Sequence, residues 1–76
     1  VTVSEAVQRL DRLDASLKWI YLRDNQLSDA DVSELVDRLL AHPDIVKYVN
    51  LIGNQLTDET GARLARCVAA STTIQA

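Results

Sequence analysis

Seventy-six residues and 8.4 kDa amount to one domain at most, and a chain this short buries only about 60% of the surface its unfolded form exposes. With 47% hydrophobic and 25% charged residues, two glycines and one proline, the composition is that of an ordered chain and not a disordered one. A net charge of −3 argues against non-specific binding to nucleic acid, the single cysteine excludes an internal disulfide or a Cys-cluster zinc site, and the apolar runs fall far short of the ~20 residues of a membrane helix.

The chain opens on a helical stripe. Val3, Ala6, Val7 and Leu10 recur at the spacing that puts apolar side chains on one face of a helix, within a segment taken as residues 1–16. Residues 17–22 then read as a short strand, with Leu17, Ile20 and Leu22 apolar and Trp19 and Tyr21 between them. Asn25 follows where the chain leaves the strand, and its amide has both donors and an acceptor for turn backbone. Ser28-Asp29-Ala30-Asp31 is a helix start: a hydroxyl to cap free N–H groups, and acids where the helix dipole is positive. The stripe Val32, Leu35, Val36, Leu39, Leu40 continues that helix, and His42-Pro43-Asp44 ends it.

The same order then recurs. Residues 46–51 are a second strand with Val46, Val49 and Leu51; Asn54 stands in the turn; Thr57-Asp58-Glu59 starts a helix whose predicted buried stripe is Gly61, Leu64, Ala65, Val68 and Ala69. Laid over one another, residues 17–45 and 46–73 agree at an offset of 29: Leu17 on Val46, Ile20 on Val49, Leu22 on Leu51, Asn25-Gln26-Leu27 on Asn54-Gln55-Leu56, and Asp29 on Asp58. The first helix fits as the tail of an earlier unit, and Ile74-Gln75-Ala76 as the start of a further one aligned on Leu17-Lys18-Trp19. Two strands separated by a helix-length crossover are parallel. The predicted fold class is therefore α/β, with strands on one side of an arc, helices on the other, and an asparagine ladder between the turns.

The pattern L-x-x-L-x-L-x-x-N-x-L-[ST]-D, with units of 29 and 28 residues, resembles the leucine-rich repeat of the ribonuclease-inhibitor-like class, shared by NOD-like receptors, Ran GTPase activators and tropomodulins. The resemblance covers essentially the whole chain. It implies a solenoid of about two and a half repeats, with short parallel strands on the concave side and helices on the convex side. It is specific for fold and unspecific for function. A repeat buries its apolar face only against neighbours, so a longer parent array and self-association through exposed solenoid ends are both expected.

Chemistry is sparse. His42 is the lone histidine and sits beside a proline; Cys67 aligns on Arg38, beside the predicted stripe; no glycine-rich phosphate loop exists. No enzyme activity, cofactor or metal is expected. The alternative is a regulatory segment of an enzyme or GTPase activator; Ran activators use an arginine in a loop after a strand, and Arg23 stands near such a place without the surrounding motif.

The expected function is a protein–protein interaction module. In the strand pattern the three apolar positions point inward and the intervening ones outward. The outward positions are Lys18, Trp19, Tyr21 and Arg23, then Lys47, Tyr48, Asn50 and Ile52, which gather every aromatic side chain and both lysines of the chain. Tyr, Trp and Arg are the residue types that dominate interface hot spots. The predicted partner is a protein or peptide, with no nucleic acid and no membrane. No secretory pattern opens the sequence, and the expected location is cytoplasmic.

Overall fold

The structure is a computed structural model and describes residues 1–69 and 72–75. It is a small α/β unit of six elements: α1 (Val3–Asp11), β1 (Trp19–Tyr21), α2 (Asp29–Ala41), β2 (Tyr48–Asn50), α3 (Asp58–Ala69) and β3 (Thr73–Gln75). The three strands form an open parallel sheet in the order β1-β2-β3. Each strand contributes one residue to the centre of the core register: Ile20 pairs with Val49, and Val49 with Ile74. The offset of 29 between β1 and β2 is the one the alignment gives. The third strand starts earlier than expected, because Ile74 aligns on Ile20 and not on Leu17. Thr72 ties the start of β3 to its neighbours: its N–H donates to the Cys67 carbonyl at 3.2 Å, and its hydroxyl to the Val46 carbonyl at 3.0 Å. The expectations that fall on the Ala69 side chain and on Ala76 lie outside what is described.

The core is a single cluster between the sheet and the helices. Leu17, Ile20, Leu22, Val46, Val49 and Leu51 enter it from the strands and their flanks, and Ala6, Val7, Leu10, Val32, Leu35, Val36 and Leu39 from α1 and α2, all buried. These residues are ones the period-two and helical patterns pick out; Val3 and Leu40, in the same stripes, are only partly buried against the cluster. In α3 the pattern is off by part of a turn. Thr60, Leu64 and Cys67 are buried, while Gly61, Ala65 and Val68 are exposed. The cause is the neighbour. Arg63, on the same side as Thr60 and Cys67, reaches α2, where it donates to the Ser33 hydroxyl at 3.2 Å and pairs with Asp37. The face of α3 turned toward α2 is therefore covered, and among the described residues nothing covers the face turned away. Cys67 is accordingly a core residue and not a flanking one, and burial pushes its thiol pKa up.

Helix starts follow the sequence with one change. The Thr2 hydroxyl accepts from the Glu5 N–H at 3.1 Å, and the Asp31 carboxylate accepts from the Ser28 N–H at 2.8 Å and from its hydroxyl at 3.0 Å. Thr57 does not spend its hydroxyl on α3. Its N–H and hydroxyl both donate to Asp29 at the start of α2, tying one helix start to the next turn. At the other end of α1, the Ser16 hydroxyl and Arg9 hold the Asp14 carboxyl down at about 2.

Candidate functional site

The turns after β1 and β2 set the strands side by side. Asn54 carries most of that work: its Oδ1 accepts from the N–H of Asn25 and of Leu27, each at 3.0 Å, and its Nδ2 donates to the carbonyls of Leu22 and Leu51, each at 2.8 Å. This is the ladder contact the repeated Asn implies. Asn25, the first of the two, makes one amide bond, to the Arg23 carbonyl at 2.8 Å. Gly53 and Asp24 hold the same place in their turns, and both have positive φ, +79° and +56°. A Cβ on Gly53 would lie 1.7 Å from Asp24 Oδ1, so glycine here allows the two turns to close on one another.

With the turns fixed, alternation along each strand sorts the side chains. Ile20 and Val49 are fully buried on the helix side. Trp19 and Tyr21 are 60% and 61% exposed on the other, which decides the orientation of β1. Trp19 is the register partner of Tyr48, and Tyr21 that of Asn50. Across the diagonal, the Tyr21 and Tyr48 rings stand 5.6 Å apart at 50°, within the favourable range for tilted aromatic pairs. The Tyr48 hydroxyl donates to Gln75 Oε1 at 2.9 Å, so β3 adds a polar edge to the cluster. Asn50 uses its Oδ1 to accept from the Ile52 N–H at 3.1 Å. Ile52 is half-buried beside that turn.

The charged residues of the predicted set lie at the two ends of this face. Lys18 and Lys47 are adjacent where the strands enter: the Lys18 carbonyl accepts from the N–H of Lys47 at 2.8 Å and from that of Tyr48 at 3.1 Å. Among the described residues neither lysine has an ion-pair partner. Arg23 is at the far end, 3.3 Å from Asp24, with both side chains largely in solvent. All eight sequence-predicted residues thus belong to one side of the sheet and its two borders. The aromatic cluster was visible in the sequence through the period of two. Gln75, which joins it, carries no such signal, because the repeat alignment of Ile74 on Leu17 sets the third strand three residues later than its observed place.

Charge is segregated along the strand direction. Strand starts and helix ends share one rim, since each helix runs back to the next parallel strand. That rim holds Arg9, Arg12, Lys18, Arg38, Lys47 and Arg66 against Asp11, Asp14, Asp37 and Asp44. The opposite rim holds Glu5, Asp24, Asp29, Asp31, Glu34, Asp58 and Glu59 against Arg23 and Arg63.

No protein-family model, curated protein or solved structure matches the chain.

Elsewhere, a cavity of about 480 Å³ opens between α1 and the start of α2, bordered by Val3, Val7, Leu27 and the acids Asp31 and Glu34. It contains none of the eight predicted residues. No group of three or more His, Cys, Asp or Glu with metal-holding geometry occurs among the described residues, and no described helix is long and apolar enough to cross a membrane.

Proposed function

We propose that the chain is a leucine-rich-repeat segment that binds a partner protein on the concave, strand face. The observation that carries this reading is the gathering of Trp19, Tyr21 and Tyr48 on the sheet face that no helix covers, while Ile20 and Val49 opposite them are fully buried. Large aromatic side chains kept in solvent cost the free molecule apolar exposure and are the anchors on which interfaces concentrate their energy. Their removal leaves the core untouched, so binding and folding are separable here.

The test screens an array of proteins with the wild-type chain and with Trp19→Ala. Trp19→Ala is expected to weaken the bound partners by about 2 kcal/mol or more, roughly 30-fold, with the melting temperature nearly unchanged. Partners that tolerate Trp19→Ala without loss overturn the strand-face reading. A variant that unfolds overturns the assignment of Trp19 to the surface. In the competing reading the segment regulates GTP hydrolysis through Arg23. That reading requires the chain to accelerate a small GTPase and Arg23→Ala to abolish the effect, whereas Arg23 stands against Asp24.

A further inference from the structure

The proposal above leaves the chemistry of the partner open, and the charges bordering the aromatic cluster narrow it. We infer that the strand face takes a linear segment in which a carboxylate over Lys18 and Lys47 is followed by an apolar or aromatic side chain on Trp19, Tyr21 and Tyr48. This rests on the strand-face reading and adds to it the class of ligand.

Two observations carry it. First, Lys18 and Lys47 immediately precede β1 and β2 at the same level, and among the described residues neither forms an ion pair. Like charges directly across a strand pair are destabilising, and an anion between them converts that repulsion into two attractions. Second, the next residues along both strands are the aromatic ones, Trp19 beside Tyr48, with Tyr21 5.6 Å from Tyr48. An extended ligand leaving the lysines crosses them within about 7 Å, two residues at the strand rise of ~3.3 Å.

The experiment displays a library of random linear 12-residue peptides to the full chain and measures the affinity of the selected peptides in solution. Selected peptides are expected to carry Asp or Glu beside an aromatic or leucine residue. The Lys18→Glu/Lys47→Glu variant, whose substitutions touch no core residue, is expected to bind such a peptide at least tenfold more weakly. The same variant is expected to gain at least tenfold for the peptide in which the acids are replaced by lysine. That reversal separates a charge match from a loss of fold. Peptides that depend on Trp19 but carry no acidic residue beside the anchor, with affinities the double variant does not change, overturn the inference and leave the strand-face reading in place. Peptides indifferent to Trp19→Ala overturn both. A library that yields no binder overturns the linear-segment ligand, while the protein array still decides the strand face.

Discussion

The two units 17–45 and 46–73 have nearly the same pattern and different environments. Leu39 and Val68 occupy equivalent positions in α2 and α3, yet Leu39 is 2% exposed and Val68 51%. Asn25 and Asn54 are equivalent in the turns, yet one amide makes a single hydrogen bond and the other takes part in four. In the first unit a neighbour lies on each side, α1 and α3 flanking α2. In the second, α3 has a described helix on one side only. What a position in a repeated pattern contributes is therefore set by the number of neighbours its unit has, and not by its own residue.

Truncating the equivalent helix residues separates the units most widely. Leu39→Ala is expected to cost about 2–5 kcal/mol, since it opens a cavity in a closed site. Val68→Ala is expected to stay within about 0.5 kcal/mol in the same urea titration. Equal losses would mean that α3 is covered as fully as α2. The turn asparagines come next. Asn54→Ala removes four bonds, two of them to neighbouring-turn N–H groups, and is expected to cost about 2–3 kcal/mol; Asn25→Ala is expected to cost under about 1.

The glycines sharpen the contrast with opposite signs. At Gly61 a built Cβ meets nothing within 4 Å, so Gly61→Ala is expected to raise stability by about 0.5–1 kcal/mol through helix propensity and chain entropy. Gly53→Ala is expected to lower it, because φ is +79° and the new methyl would strike Asp24. Chemical denaturation of both variants decides the pair.

The smallest effect is a pH dependence at the joint between the units. The hydroxyl and N–H of Thr57 hold the Asp29 carboxyl below its ordinary value of 3.8. A depressed folded pKa gives stability that is present above 3.8 and lost as pH falls through the lower folded value. The gap in urea midpoint between the wild type and Asp29→Asn is expected to be open at pH 7 and to close as pH falls below 3.8. A gap that persists in strong acid would show that the pair acts through something other than the charge of Asp29.

Most of the architecture was legible because it rests on local periods. Alternation over 17–22 and 46–51 gave strand orientation, the 3.6 spacing of Val32, Leu35, Val36 and Leu39 gave the buried face of α2, and the offset of 29 gave the register of β1 against β2. The same alternation turns Trp19 and Tyr21 outward. Local periods fail where burial depends on what lies alongside. The face α3 buries is rotated toward α2, so Thr60 and Cys67 replace Gly61, Ala65 and Val68. The Thr57 hydroxyl leaves its own helix for Asp29, because a carboxylate from the preceding unit lies within reach. The early start of β3 follows from Thr72, whose bonds to Cys67 and Val46 carry no periodic signal.

The placement of Cys67 makes the chain its own clock. Its thiol is sealed between α3 and the rest of the core, and burial keeps it protonated to higher pH than a free cysteine. An alkylating reagent in neutral solution can react with it only after the core around it opens, by α3 lifting away or by the chain unfolding. With reagent in excess, and closing faster than capture, the labelling rate divided by that of an unfolded-chain thiol is the fraction of time Cys67 is exposed. One mass shift per molecule then reports the opening of this part of the core, with no probe added to the sequence.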